Sequence, residues 1–429
     1  MTSQEFSSLV KISVRKRDND PLTVLQLILS ALAALGLWSL SLVLALMGFL
    51  NLVGGESIPG GVLPVFLFVA AGAVCGVLLL PSIVFSLGRI IGKEISINVP
   101  DKWWLRPTVW IFALPVVLLI GYLVTKNEYL AWIILPFMHI LAIGLPVLWF
   151  LYLGVRGLGL GSPQRRWGVF DSGLVLGPFL IMMAEVIAFG VVTVLGLGLL
   201  MRQPELLQDL IIQMEGLMNS ALTPDQMLEE LAPFFIQPPV LFVVFIFAAA
   251  IVPLIEEALK PIGVWLLVGR EITPMGGFTA GLLSGAGYAF FESLALSSTS
   301  EEWIMVVLAR SGTAVIHILT TGLMGWAMVL AWKQGKYLRL ALTYIGVVAL
   351  HGLWNGITLF TAYTVLAGDL VENIEMPVLV SSLGGIAPFF LGVIIIGAFL
   401  VLIVVNRGFR ESQSSSLGED SALTSASDL

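Results

Sequence analysis

Long apolar stretches dominate this chain and constrain its fold more than any other feature. A helix needs about 20 apolar residues to cross the hydrocarbon core of a bilayer. Only 11% of the residues are charged, whereas soluble domains carry roughly a quarter. The stretches long enough to cross lie at 22–53, 61–88, 107–125, 130–155, 169–201, 238–269, 276–299, 302–332, 338–366 and 377–405. The sequence therefore predicts an all-α polytopic membrane protein, a helical bundle of about ten transmembrane helices.

The connections between these stretches alternate in charge. Lys and Arg concentrate in the N-terminal segment and in every second connection, including 89–106 and 156–168. The connections between them, such as 202–237 and 367–376, are acidic or nearly uncharged. Because short connections rich in Lys and Arg stay on the cytoplasmic side, we expect both termini to be cytoplasmic.

Composition divides the chain into five parts. The membrane-depth ionisable residues concentrate after residue 238, and the region from 406 onward is Ser-rich and acidic, as disordered tails are. The lone Cys75 excludes a disulfide framework and a Cys-based zinc site, and no basic patch indicates nucleic-acid binding. The predicted parts are a cytoplasmic N-terminal segment (1–21), an accessory five-helix membrane region (22–201), an extracytoplasmic amphipathic segment (202–237), a second membrane domain (238–405), whose catalytic role is predicted from the motifs below, and a disordered cytoplasmic tail (406–429).

Two adjacent acids and a lysine interrupt the apolar stretch 238–269. Glu256 and Lys260 share one helix face at a spacing of four residues, while Glu257 points about 100° away. Each charge at bilayer depth costs a few kcal/mol, and such residues usually face protein or water at a functional site. This group is therefore the first place at which to expect chemistry.

Further polar residues lie at similar depth in the three following stretches. Glycines precede Glu292 on one helix face, which favours close approach of a neighbouring helix. Some of these residues lie within about five positions of the middle of their stretch, and the others share a helix face with one that does. Besides Glu292 they are Arg310, His317, His351 and Asn355. Four helices thus bring acids and imidazoles to one level of the bilayer, which predicts a buried polar site.

Only a few kinds of chemistry fit this set. The chain has neither a Gly-x-Ser-x-Gly elbow near a histidine nor a His-Glu-x-x-His zinc motif. A carboxylate can act as general base on a water while imidazole and amide groups stabilise the oxyanion. Alternatively, one Glu and two His can hold a zinc ion with an open position.

The same residues resemble the PrsW intramembrane proteases. Glu256-Glu-Ala-Leu-Lys260 matches the family's Glu-Glu-x-x-Lys motif, and the segment Gly285-Ala-Gly-Tyr-Ala-Phe-Phe-Glu292 is similar to its Gly-x-Gly-Phe-Ala-x-x-Glu segment. The later histidine motifs are matched by Arg310 with His317 and by His351-Gly-Leu-Trp-Asn355. The family is distantly similar to CAAX-prenyl endopeptidases and bacteriocin-processing proteases. Those proteases carry Glu-Glu-x-x-x-Arg, whereas in this chain the basic residue is Lys260, one position closer to the two glutamates. The resemblance covers roughly 240–366.

The resemblance and the residues together predict an intramembrane endopeptidase. It would hydrolyse a peptide bond of a membrane-associated protein in the cytoplasmic membrane of a prokaryote, with a buried Glu/His site activating water. Zinc and a metal-free glutamate mechanism are equally compatible with the residues. The predicted catalytic residues are Glu256, Glu257, Glu292, His317, His351 and Asn355. The predicted charge-balancing residues are Lys260 and Arg310, and the predicted zinc ligands are Glu292, His317 and His351.

Two other functions are compatible with buried Glu, His and Lys residues. A proton- or ion-coupled transporter uses such relays, but it would show internal repeats around the site, which we do not find. A catalytically silent scaffold that keeps the fold is the third interpretation. The remaining membrane-depth polar residues His139, Asp171 and Glu185 are interpreted as packing or structural residues outside the site.

Overall fold

The computed structural model describes residues 10–14, 20–54, 62–97, 102–202, 237–295, 302–369 and 378–427, together with single residues and pairs between 205 and 216. The predicted amphipathic segment 202–237 therefore lies largely outside the described residues. Within them the chain is almost entirely helical, which confirms the predicted all-α class. The two short strands β1 (Val10–Val14) and β2 (Lys93–Ile97) pair antiparallel.

The helices alternate with short turns along the chain. Two π-helical turns, at Ser172–Leu176 and Phe247–Ile251, each join two helices into one longer element. The helices are α1 (Pro21–Gly54), α2 (Leu63–Ile90), α3 (Pro107–Thr125), α4 (Glu128–Val155), α5 (Pro163–Asp171), α6 (Gly177–Leu200), α7 (Pro238–Ile246), α8 (Val252–Leu259), α9 (Ile262–Trp265), α10 (Pro274–Ala295), α11 (Trp303–Gln334), α12 (Tyr337–Asp369) and α13 (Val378–Ser427).

Nine helical segments of the described chain are long and apolar enough to cross a membrane. Of the ten predicted spans, 276–299 is the one that is not among these nine. It corresponds to α10, which has 22 residues and a length of about 33 Å. Its Gly, Ser and Thr residues lower its hydropathy, and most of its side chains are buried in the bundle. A helix enclosed by other helices does not need the apolar surface that lipid requires.

One end of the bundle gathers the segments that the charge pattern assigns to the cytoplasm. The β1–β2 pairing joins the N-terminal segment to the connection after α2. Asp20 forms an ion pair with Arg270 at 2.5 Å, and the Asn406 amide donates to the Gly154 carbonyl at 2.8 Å. The segments thus share one side of the bundle, while the assignment of that side to the cytoplasm stays a prediction.

Helix α13 continues to Ser427 and so enters the segment for which the sequence predicts disorder. No proline follows Pro388, so nothing in the covalent backbone stops the helix that begins in the membrane. The described helix thus covers 406–427, and the predicted disorder of the tail stays a prediction.

The core of the bundle is built on close contact between α10 and α11. Their glycines face backbone of the partner helix: a Cβ added at Gly281 would lie 2.9 Å from the Gly322 Cα. The accessory helices join the same core, because the fully buried Trp303 of α11 inserts beside Gly121 of α3. The predicted accessory and catalytic regions are therefore packed together.

Candidate functional site

The Glu-Glu-x-x-Lys segment enters the core between two prolines. Helix α8 begins after the π-helical turn, with Pro253 in its first turn, and Pro261 follows Lys260. Proline removes a backbone donor and cannot continue a regular helix, so the helix ends at this point. This local sequence turns Glu256, Glu257 and Lys260 into the interior, where all three are buried.

The Lys260 ammonium is the centre of the site. Its Nζ lies 2.8 Å from Glu256 Oε2 and 2.9 Å from Glu257 Oε1. It also lies 2.7 Å from His317 Nδ1 and 3.3 Å from His351 Nδ1. Residues from α8, α11 and α12 therefore converge on one cation.

Glu257, the second acid of the pair, contacts both Lys260 and His351 through its carboxylate. Glu257 Oε1 contacts the Lys260 ammonium and lies 2.9 Å from His351 Nδ1, and Glu257 is fully buried. Glu256 keeps 5% of its surface exposed, and the His351 Nε2 atom lies 3.9 Å from its carboxylate. The two adjacent acids thus occupy different environments.

A second acid and a second cation lie behind His317. Glu292 Oε2 lies 2.7 Å from His317 Nε2 and 2.7 Å from Arg310 Nη2. Arg310 also donates to the Ser293 hydroxyl, at 3.4 Å. The arrangement fixes the orientation of the imidazole, with one ring nitrogen toward Lys260 and the other toward Glu292.

Asn355 contacts backbone at the edge of the site. Its Nδ2 donates to the Ala248 carbonyl, which belongs to the π-helical turn before α8, at 2.9 Å. One turn earlier on α12, Gly352 faces the Ala249 carbonyl so closely that a Cβ would not fit. These contacts hold α12 against the segment that carries Glu256.

Glycines explain how the helices bring these side chains together. A Cβ at Gly285 of α10 would lie 2.7 Å from the His317 carbonyl, closer than real contacts allow. Small residues at such positions let two backbones approach within the membrane. Glu292 and His317 therefore meet because α10 and α11 can touch along their lengths.

A three-donor set in this cluster has the chemistry of a metal site. One donor atom each from Glu256, His317 and His351 lie within 4.8 Å of one another, and all three residues are buried. Two imidazoles and a carboxylate are a typical ligand set for catalytic zinc. The donor types therefore suit zinc, but the Lys260 ammonium lies among these atoms, so a bound ion and the ammonium would compete for the same donors. The set contains Glu256, whereas the sequence analysis had named Glu292.

Two residues that the sequence analysis left outside the site lie close to it. The Tyr288 ring centroid is 4.9 Å from the Lys260 ammonium and 5.2 Å from the His317 ring centroid. Glu185 of α6 lies within electrostatic range of Glu256 and Lys260, and its Oε1 is buried without a hydrogen-bond partner among the described residues. Tyr288 lies one helical turn before Glu292 in the sequence, and this spacing could have predicted that it lies near the site. Nothing in the sequence around Glu185 relates it to a helix more than 50 residues later.

The other membrane histidine lies elsewhere. His139 accepts a hydrogen bond from the Trp303 indole at 3.2 Å, between α4 and α11. This contact agrees with its interpretation as a packing residue.

Comparison with known proteins supports the resemblance seen in the motifs. Residues 217–386 match a family model described as PrsW family intramembrane metalloprotease. The match contains every site residue named from the sequence, from Glu256 to Asn355. No curated protein and no solved structure matches the chain. The chain is therefore a polytopic membrane protein whose residues 217–386 are similar to the PrsW family of intramembrane metalloproteases.

Proposed function

We propose that the protein is an endopeptidase that hydrolyses a peptide bond of a membrane-associated protein, with Glu256 as the general base on water. The observation that supports this most directly is the buried group of two acids and two imidazoles around Lys260, inside helices that cross the membrane. A prokaryotic cytoplasmic membrane is the proposed location.

The different environments of the two acids support the assignment of Glu256. Glu257 contacts both Lys260 and His351 and has no exposed surface. Within the adjacent pair, Glu256 alone keeps some exposed surface, so water would reach its carboxylate more readily than that of Glu257. A general base must lie within hydrogen-bonding reach of the proton that it removes. In this proposal Glu257 holds Lys260 and His351 in position.

The imidazoles and the amide would bind the reacting groups. His317 is oriented by Glu292, which Arg310 neutralises. Asn355 uses one amide hydrogen on the Ala248 carbonyl and keeps a second for the substrate carbonyl. Preorganised donors of this kind stabilise the oxyanion that forms when water attacks.

In a zinc-dependent alternative, Glu256 would be a ligand instead of the base, and Glu256, His317 and His351 would be the residues that hold the ion. When bound, zinc would polarise a water and the scissile carbonyl. Glu257 and Glu292 would then keep the two imidazoles oriented through their contacts with His351 and His317.

The test is cleavage by protein reconstituted in liposomes. A set of single-span model peptides serves as substrate, and mass spectrometry identifies the products. Glu256→Gln keeps the side-chain shape but removes the base, so we expect the rate to fall by about 100-fold or more. Glu271→Gln is the matched control, because that side chain is fully exposed and pairs only with Lys333 at 3.7 Å.

Three results are decisive. Cleavage at the wild-type rate by Glu256→Gln would overturn the proposal. Loss of cleavage in Glu257→Gln but not in Glu256→Gln would reverse the roles of the two acids. Loss in Glu256→Gln with an unchanged melting temperature would support the assigned role.

A further inference from the structure

A cavity of about 440 Å³ lies against α1, and no residue of the Lys260 cluster lines it. Its walls come from α1, α2, α5, the beginning of α6 and the segment from Gly263 to Arg270. The volume is within the range of about 300–1,000 Å³ that is usual for small-molecule sites. The proposed proteolysis gives this cavity no role.

Asp171 is the buried acid of this cavity, and one of its oxygens is unpaired. The residue is 6% exposed and lines the cavity together with Ser30 of α1. The Ser30 hydroxyl binds its Oδ2 at 2.9 Å, whereas its buried Oδ1 has no hydrogen-bond partner in the described chain. Buried polar groups are almost always hydrogen-bonded, and a carboxylate binds a cationic donor most strongly. Because the terminal torsion of aspartate is soft, a small rotation presents Oδ1 to a donor in the cavity.

The cations of the lining are engaged elsewhere. Arg270 pairs with Asp20 at 2.5 Å, and Arg89 donates to the Gln164 side chain at 2.6 Å. The Arg165 side chain packs over the turn before α5. The ionisable group left at the inner part of the cavity is therefore an acid, which favours a cationic ligand there.

The helices place this acid near the edge of the hydrocarbon core. The spans Pro21–Gly54 and Pro163–Gly198 have 34 and 36 residues, which is about 51 and 54 Å at 1.5 Å per residue. The core is about 30 Å thick, so about 10 Å of a centred span extends beyond it on either side. Ser30 and Asp171 lie about 12–14 Å from the first residues of these spans. They are therefore at the level where hydrocarbon meets lipid headgroups.

The deeper wall of the cavity is apolar and open to lipid. Leu29 and Leu32 of α1 are 40% and 63% exposed, and Phe179 of α6 is 54% exposed. All three line the cavity and belong to segments long and apolar enough to cross the membrane, so their outer faces meet lipid. A ligand that fills the cavity thus combines a cationic donor at headgroup level with an apolar chain, and it enters from one leaflet.

We propose that the cavity binds one aminophospholipid, with its primary ammonium on Asp171 and one acyl chain along the leucines of α1. Phosphatidylethanolamine is the simplest such lipid, because its ammonium carries a positive charge and, like that of lysine, three N–H donors. Phosphatidylcholine has the same charge without an N–H, so it cannot donate to Oδ1. A lipid with an anionic headgroup and no amine brings a negative charge toward an acid.

The cavity also adjoins the segment that supports the site. Gly263 lines it, and the Gly263 N–H donates to the Ser284 hydroxyl, which in turn donates to the Lys260 carbonyl at 2.6 Å. A lipid in the cavity would hold this segment in place. The proposal concerns binding, so it stands or falls independently of proteolysis.

Native mass spectrometry of the detergent-purified full chain tests it with a series of lipids that differ in methylation of the amine. We expect phosphatidylethanolamine and its N-methyl and N,N-dimethyl derivatives to stay bound. Phosphatidylcholine should bind at least five-fold more weakly than the dimethyl lipid, because the third methyl group removes the last N–H. Phosphatidylglycerol, which has no amine, should also bind at least five-fold more weakly than phosphatidylethanolamine.

Three variants test the assigned residues. Asp171→Asn keeps the shape and an acceptor for Ser30 but removes the charge, so it should abolish the preference for phosphatidylethanolamine over phosphatidylcholine. Leu29→Trp narrows the cavity and should weaken binding of phosphatidylethanolamine at least five-fold. Glu411→Gln is the matched acid-to-amide control and should change neither, because this exposed acid lies on α13 and pairs with Arg407 at 2.7 Å.

Five results would overturn the proposal. Equal retention of phosphatidylcholine by the wild type would show unselective lipid binding. A steady decrease along the methylation series, without a step at the last methyl group, would show selection by headgroup size. An unchanged preference in Asp171→Asn would remove this acid from the site. Competition by free phosphoethanolamine at similar concentration would show an amine site without a lipid chain. An equal loss in Glu411→Gln would show a general charge effect. Thermal unfolding of each variant checks that it is folded.

Discussion

At the scale of single residues, Lys260 sets the charge balance of the site. Its ammonium is fully buried between two carboxylates and two imidazoles. Removing one partner of a buried ion pair typically costs about 3–5 kcal/mol, because the other charge stays buried. The ammonium also contacts all three residues, Glu256, His317 and His351, that could offer donor atoms to a metal.

Replacement of Lys260 should therefore increase the affinity for zinc. Lys260→Met removes a positive charge and a side chain from among the three donors, so we expect bound zinc to rise after equilibration at a fixed, subsaturating concentration. Elemental mass spectrometry of the purified protein measures it. Lys333→Met, which removes a half-exposed lysine that pairs with Glu271, is the control. Lower zinc content in Lys260→Met than in the wild type would show that the ammonium supports the metal site instead.

At the scale of secondary-structure elements, the contact between α10 and α11 decides the geometry of the site. Glu292 lies on one helix and His317 on the other, and their 2.7 Å contact depends on backbone approach at glycine positions. A side chain at these positions must push the helices apart.

Gly281→Ala should lower both stability and activity. The added Cβ meets backbone of Thr321 and Gly322, and such overpacking costs about 1–3 kcal/mol. Gly346→Ala is the control, since a Cβ on Gly346 of α12 meets nothing within 4 Å. We expect the melting temperature to fall in Gly281→Ala and to stay unchanged or rise slightly in Gly346→Ala. Equal melting temperatures would contradict the packing argument.

The π-helical turn before α8 is a feature that the sequence did not predict. The apolar stretch 238–269 predicts one span with a bend at its prolines, and the structure divides it into α7, α8 and α9. The turn at Phe247–Ile251 contacts α12, through Asn355 at Ala248 and Gly352 at Ala249. These contacts depend on residues of α12, so the sequence of 238–269 alone does not predict the turn.

At the scale of the whole molecule, the accessory helices complete the core around the segment matched by the family model. The Trp303 side chain lies between Gly121 of α3 and His139 of α4. Gly173 in the turn after α5 faces the Ser284 carbonyl of α10 too closely for any Cβ. The segment matched by the family model therefore leaves apolar core exposed when it is alone.

The matched segment should accordingly require the accessory region to fold. We expect a fragment of residues 217–429 to aggregate in mild detergent, because the surfaces that contact α3, α4 and α5 lose their partners. Co-expression with a fragment of residues 1–216 should restore a soluble complex that elutes as one species in size-exclusion chromatography. A monodisperse 217–429 fragment on its own would contradict this.

The sequence by itself determined that the chain is a helical bundle with membrane-spanning segments, and it predicted which residues form most of the candidate site. Apolar length and the cost of a buried charge are local properties, so they can be read from the chain. Only the tertiary structure decided that Lys260 lies at the centre, that Glu292 lies behind His317, and that Tyr288 and Glu185 lie nearby. These distances depend on how closely separate helices approach and rotate about one another. That is set by glycine contacts and packing across the whole bundle, and no single stretch of sequence specifies it.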